Sequence, residues 1–178
     1  MKVREYLENH WIKNKIWTHD KWPKHQLRLK MCAAFLEGKK FIDVGCCLGH
    51  STHYMKKFFP GEWSGLEFWE EAVIKAQKLF SDITFYYSSD FNLLPICGKF
   101  DGVVCSETME HVEYDKELLK SLINITKKVL VMTTPNLYIN DPGHLRVYTE
   151  ESLAELFKGF NYTIHSIGTF FYIVIKNE

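Results

Sequence analysis

The segment Ser106-Glu107-Thr108-Met109-Glu110-His111 places two carboxylates and an imidazole within five residues, with a second imidazole, His144, further along the chain. Imidazole titrates close to neutrality, so His111 is the side chain best suited to take a proton from a hydroxyl, with Glu110 or Glu107 able to orient it. The same histidine could equally cap or pack the stretch before the next helix. Glu107, Glu110, His111 and His144 are also of the types that can gather around a divalent metal.

A second constellation is Asp43-Val44-Gly45-Cys46-Cys47-Leu48-Gly49, which follows a strand-like run and opens a helical one. Strand, glycine turn and helix N-terminus together aim backbone N–H groups at the carboxyl edge of a sheet, where open α/β folds take their ligands. A dinucleotide loop needs glycines spaced G-x-G-x-x-G, and those positions here are Gly45, Cys47 and His50, so two of the three fail. Asp43, two places before Gly45, would repel a pyrophosphate. It suits a ligand that carries an ammonium group and no phosphate, as the amino-acid portion of S-adenosylmethionine does. The plainer alternative is that Gly45 and Gly49 only turn the chain. Glu67 lies eighteen residues beyond Gly49 at a strand end, where a carboxylate can accept both hydroxyls of a ribose. Ser88-Ser89-Asp90-Phe91 forms a polar turn at the same edge, in which Ser89 or Asp90 could instead cap a helix.

Taken together these residues resemble the class I methyltransferases, whose first motif runs acid-x-Gly-x-Gly-x-Gly. It stands here as Asp43, Gly45, Cys47 and Gly49, and Cys47 replaces the middle glycine. The resemblance implies S-adenosylmethionine as cofactor, Glu67 on its ribose, Phe68 along its adenine, Asp90 accepting from the adenine amino group and Phe91 packed on the ring. Glu107 joins this cofactor set. The run S-E-x-x-E-H at Ser106 to His111 resembles the small-molecule O-methyltransferases related to the ubiquinone-biosynthesis enzymes and the broad type-11 group, as do Thr133-Thr134-Pro135-Asn136 and His144-Leu145-Arg146-Val147-Tyr148-Thr149. This implies His111, Glu110 and His144 as the catalytic group, with His144 and Arg146 able to meet the substrate from a loop. Many relatives with this segment need no metal, so a metal-free site is the expectation. The Asn/Asp-Pro-Pro-aromatic motif of base N-methylating enzymes is missing, which favours O-methylation of a small metabolite or glycan. RNA 2′-O-methylation with a bound metal is an alternative, and Cys47 keeps a third reading open, a methyltransferase-like subunit without catalysis.

Such a site needs a sheet whose carboxyl edge gathers it. Apolar, β-branched or aromatic runs at 40–44, 62–67, 83–87, 100–105 and 129–133 predict buried strands, and helical patterns at 51–59, 70–80 and 115–127 alternate with them. That rhythm predicts an α/β, three-layer, Rossmann-like fold with a mostly parallel seven-stranded sheet. After a helix at 150–157, the runs 161–167 and 170–176 are joined only by a tight turn at Gly168, so they should close the sheet with an antiparallel hairpin. Ahead of the first strand, 24–36 reads as an amphipathic helix with Leu27, Met31, Ala34 and Phe35 on its apolar stripe.

Bulk properties bound the reading. A chain of 178 residues with 46% hydrophobic content suits one methyltransferase domain, 39–178 forming the cofactor-binding core and 1–38 a helical segment. Trp11, Trp17, His19, Trp22 and His25 in that segment could close a lid over the substrate or simply pack on the core. The 22 basic and 22 acidic residues cancel, which argues against nucleic acid and membrane surfaces as partners, although ten basic and four acidic residues fall within the first forty. Five cysteines, odd in number and without zinc-knuckle spacing, suit reduced thiols in the cytoplasm. The charged N-terminus does not resemble a signal peptide, and no apolar stretch is long enough for a span.

Overall fold

The computed structural model of the chain describes residues 20–141 and 143–177. Its elements run α1 (Pro23–Ala34), β1 (Lys40–Val44), α2 (His50–Phe58), β2 (Glu62–Glu67), α3 (Glu70–Leu79), β3 (Thr84–Tyr87), α4 (Leu94–Cys97), β4 (Phe100–Ser106), a 3₁₀ turn (Met109–His111), α5 (Asp115–Ile125), β5 (Thr126–Pro135), α6 (Glu150–Leu156), β6 (Tyr162–Ile167) and β7 (Phe170–Lys176). The seven strands form one sheet in the order β3-β2-β1-β4-β5-β7-β6. The first five are parallel, while β7 runs antiparallel to both β5 and β6. The expected fold and closing hairpin are thus present, with β7 set inside the sheet and β6 at its edge.

Strand side chains alternate between the two faces, and the core divides accordingly. Ile42, Val103, Leu130 and Ile173 join α5 and α6 through Leu118, Leu122 and Leu153 in one cluster. Phe41, Val104, Val131 and Tyr172 meet α1 and α2 through Leu29, Cys32 and Met55 in the other. Both faces of the central strands are therefore covered, and their sequences read as continuous apolar runs.

Two expectations need correction. The helical pattern at 115–127 stops at Ile125, and β5 starts at once with Thr126. Thr126 is β-branched, pairs in register with Phe100 and donates its hydroxyl to the Leu122 carbonyl at 2.7 Å, so sheet pairing overrides the helix-compatible lysines that follow. On α1 the packed stripe is His25, Arg28, Leu29, Cys32 and Ala33, while Leu27 is 54% exposed. Hydropathy alone favoured the leucine, but this face of the helix lines the crevice through His25 and Arg28 as well as meeting the core.

Strand order reverses between β1 and β4, so the loops after them diverge and leave a crevice at the carboxyl edge of the sheet. Both motif segments, after β1 and after β4, end there. Of the aromatic residues in 1–38 that could form a lid or pack on the core, Trp11, Trp17 and His19 lie outside the described residues. Among the described residues, no helix is long and apolar enough to cross a membrane.

Candidate active site

The glycine loop is shaped by two close approaches. Gly45, at φ 80°, lies against Thr108, and Gly49, at φ 78°, lies against the Phe85 ring, so a Cβ at either position would collide with those side chains. Gly45 and Cys46 donate their N–H groups to the Leu66 carbonyl, and Gly49 N–H returns to the Cys46 carbonyl at 2.9 Å, folding the turn onto the end of β2. Between the glycines, Cys47 takes φ 49°, left-handed backbone that a side chain disfavours. The family pattern has glycine at this position, and the backbone conformation that calls for glycine is retained. Cys47→Gly should therefore raise stability by about 1 kcal/mol, read as a higher denaturant midpoint at unchanged slope.

Asp43 is not on the cavity wall. It is 2% exposed, and its Oδ2 accepts from the hydroxyls of Ser51 and Thr52, each at 2.8 Å. The carboxylate thereby fastens the loop to the first turn of α2 from below. Burial raises its pKa, and those two hydroxyls together with the more distant Arg28 charge counter the rise. Glu67 ends β2 with both oxygens engaged: Oε2 accepts Cys47 N–H at 2.6 Å and Oε1 accepts Phe68 N–H at 2.7 Å. Burial pushes its pKa up, against those hydrogen bonds. Beside it the Phe68 and Phe91 rings meet edge to face, with centroids 5.3 Å apart. Asp90 is exposed, and its Oδ1 accepts Asn92 N–H at 2.7 Å within a tight turn.

The crevice encloses about 410 Å³ and brings together Gly45, Cys47, Glu107, Glu110, His111 and His144. Asp43, Gly49, Glu67, Phe68, Asp90 and Phe91 are not among its lining residues: Asp43 is buried at the end of β1, Gly49 opens α2, Glu67 ends β2, and Phe68, Asp90 and Phe91 follow β2 and β3. Glu107 has left-handed backbone, at φ 54°, stabilised by its N–H bond to the Thr133 carbonyl at 3.0 Å. Its side chain accepts from the Thr133 hydroxyl at 3.1 Å and lies 3.3 Å from Arg28 Nη1.

Sequence reasoning missed Arg28. It is 3% exposed on the inner face of α1, lines the same crevice and sets its guanidinium 5.0 Å from the centre of the Phe170 ring. The available signal was the spacing His25, Arg28, Leu29, Cys32, a helical stripe with a cation inside it.

Glu110 is 1% exposed, and neither of its oxygens has a hydrogen-bond partner among the described residues. Burial, reinforced by the neighbouring Glu107 carboxylate, holds its pKa well above the ordinary carboxylate range. The His111 Nδ1 lies 2.9 Å from the Gly143 carbonyl oxygen. A carbonyl can only accept, so Nδ1 carries the hydrogen and Nε2 the lone pair. Burial lowers the His111 pKa, with the Gly143 carbonyl working the other way, and burial lowers that of His144 as well. The two imidazoles approach edge to face at 4.7 Å. One donor atom each from Glu110, His111 and His144 fall within 4.8 Å of one another. One carboxylate and two imidazoles, with the Glu110 oxygens unsatisfied, fit a transition-metal ion better than magnesium. Arg146, expected to be able to meet substrate, is instead tied to Asp115 and to the Glu113 carbonyl.

Residues 17–167 match the model of a family described as a methyltransferase domain. The chain belongs to this family. It is a methyltransferase, and solved structures of S-adenosylmethionine-dependent methyltransferases share its fold. Magnesium protoporphyrin IX methyltransferase from Synechocystis, solved with bound S-adenosylhomocysteine, aligns with a TM-score of 0.67 at 17% identity over 86% of this chain and 84% of that one. A S-adenosylmethionine-dependent methyltransferase from Aquifex aeolicus aligns at 0.70, with 17% identity over 85% and 88%. A chain from the complex of the Haloferax volcanii Trm112 methyltransferase activator with a methyltransferase aligns at 0.77, with 15% identity over 98% and 96%. Among curated proteins, none matches. The crevice between β1 and β4 is the candidate site of this methyltransferase.

Proposed function

We propose that this methyltransferase transfers a methyl group from S-adenosylmethionine to a hydroxyl oxygen of a small metabolite or saccharide, with His111 as general base. The observation that carries the reading is the 2.9 Å contact of His111 Nδ1 with the Gly143 carbonyl, which leaves the lone pair on Nε2 of an imidazole that lines the crevice. The cofactor supplies an electrophilic methyl on a sulfonium, open to in-line displacement. The protein's part is to align the attacking oxygen and to take its proton as the new bond forms.

Arg28 suits the carboxylate of the cofactor's amino-acid end, and Glu107 beside it suits the ammonium. Glu67 faces the ribose in this reading, while Phe68, Phe91 and Asp90 hold the adenine. Asp43 acts through the loop it fastens and through its buried charge. Calorimetric titration with S-adenosylmethionine should give a micromolar to submillimolar Kd, and an acceptor screen with labelled methyl should place the label on oxygen. No binding at millimolar cofactor, or label found only on nitrogen, would overturn the reading.

The cluster of Glu110, His111 and His144 supports a second, narrower reading, that of a divalent transition metal held by these three side chains. A metal there would lower the pKa of a hydroxyl bound to it. Titration with Mn²⁺ should then give a one-site isotherm that Glu110→Ala abolishes, and a flat isotherm leaves the metal-free base mechanism.

A further inference from the structure

The connection after β5 returns along the catalytic 3₁₀ turn and is fastened to it at successive points. Leu145 N–H donates to the Glu110 carbonyl at 2.8 Å. Arg146 donates from Nη2 to the Glu113 carbonyl at 2.8 Å and forms an ion pair through Nη1 with Asp115, the first residue of α5. Tyr148, buried in the core that faces α5, donates its hydroxyl to Asp115 Oδ2 at 2.9 Å. Thr149 and Ser152 then close a reciprocal cap and launch α6. Upstream, Asp141 accepts from Gly143 N–H through Oδ1 at 2.8 Å and from His144 N–H through its carbonyl at 2.9 Å. The Gly143 carbonyl and the His144 ring are thus carried on backbone pinned on both sides.

We propose that Asp115, Arg146 and Tyr148 are positioning residues that hold the Gly143 carbonyl on His111 Nδ1 and so fix the tautomer and orientation of that imidazole. Asp115 is the hub. One carboxylate receives the guanidinium and the phenol from the loop, and its place at the N-terminus of α5 ties both to an element that packs on β4 and β5. Without the hub the loop keeps its backbone bond at Leu145, the Arg146 bond to the Glu113 carbonyl and a long 3.5 Å reach of the Tyr148 hydroxyl to the Met109 carbonyl, a looser fastening from which the Gly143 carbonyl can withdraw. Neutral imidazole in water populates both tautomers, so a withdrawn carbonyl allows the proton to move to Nε2, the nitrogen that must accept. Arg146 and Tyr148 therefore serve the site from outside it. Sequence distance hides the link, since Asp115 and Tyr148 are 33 residues apart.

The inference rests on His111 being the base, but its test need not. In ¹⁵N-histidine-labelled protein, two-bond proton–nitrogen correlations report which imidazole nitrogen carries hydrogen. The expected result is an Nδ1–H signature for His111 in the wild type. In Asp115→Asn and Tyr148→Phe it should give way to a mixture with Nε2–H, while S-adenosylhomocysteine still binds within about twofold of its wild-type Kd. Arg146→Lys, which keeps the charge but not the fork, should fall between. Tyr148→Phe retains the buried ring and decides the matter if Asp115→Asn fails to fold. An unchanged Nδ1–H signature in the folded variants overturns the proposal. If the tautomer shifts but His111→Ala leaves methyl transfer intact, the clamp stands and the assignment of the base fails.

Discussion

Replacing His111 with alanine is expected to lower kcat by about 10²- to 10⁴-fold while cofactor affinity stays within about threefold of the wild type. The expectation comes from where the ring sits. Its Nδ1 is engaged by a backbone carbonyl, so the proton inventory at Nε2 is fixed, and the ring lines the crevice beside Glu110 and His144. Glu67 and the residues after β3 lie elsewhere on the sheet edge and should be undisturbed. Burial lowers the His111 pKa below its ordinary 6.5. The neutral, accepting form therefore prevails at neutrality, and the rate should hold level through pH 7, falling only as the pH drops through the depressed value. An enzyme whose rate still climbs between pH 7 and 8 would not be limited by this imidazole. Stopped-time assays of labelled methyl transfer across pH, paired with calorimetry on the variant, read both quantities. Loss of cofactor binding together with turnover would mark His111 as structural.

The sequence made the alternation of elements legible because β-branched and apolar runs are short, bounded and separated by amphipathic stretches. β1, β2 and β7 have the bounds read from composition, and the turn at Gly168 is too short for anything but a hairpin. Gly45 and Gly49 were legible as a tight turn, since left-handed backbone and close neighbours leave few residue types. What escaped was direction. Spacing placed Asp43 at the loop but could not tell that its carboxylate points under α2 rather than into the crevice. Arg28 was passed over because a hydropathy stripe gives a buried cation no weight. The Gly143 carbonyl was invisible in principle, because a backbone acceptor carries no residue-type signal and its value depends on which side chain the fold delivers to it. Residue types and spacing thus picked out some of the side chains that gather at the crevice, while which atoms face one another depended on the fold.

Glu67→Ala should weaken binding of S-adenosylmethionine by about 100-fold or more, equivalent to about 3 kcal/mol, measured as Kd by calorimetry. Two losses add in the same direction. The carboxylate at the end of β2 holds the N–H groups of Cys47 and Phe68, and without it the left-handed turn at Cys47 loses its brace. The cofactor ribose also loses an ionised acceptor for its hydroxyls, and hydrogen bonds to charged groups are worth about 1.5–3 kcal/mol each. Glu67→Gln separates the two contributions. Its amide oxygen can still accept one backbone N–H, but its NH₂ must face the other donor, so affinity should fall to an intermediate value. Burial raises the Glu67 pKa above its ordinary 4.5. The ionised form that binds ribose is then depleted as the pH falls through that raised value, so cofactor affinity should begin to weaken above pH 4.5. Native stability carries the opposite sign. A raised carboxyl pKa means that folding favours the protonated form, so this residue's contribution to stability is largest at low pH and declines as the pH rises through the same window. Cofactor affinity that weakens on acidification in the wild type but not in Glu67→Gln, while the fold holds, would assign the effect to this carboxylate. Equal affinity in the wild type and Glu67→Ala would remove Glu67 from the cofactor site.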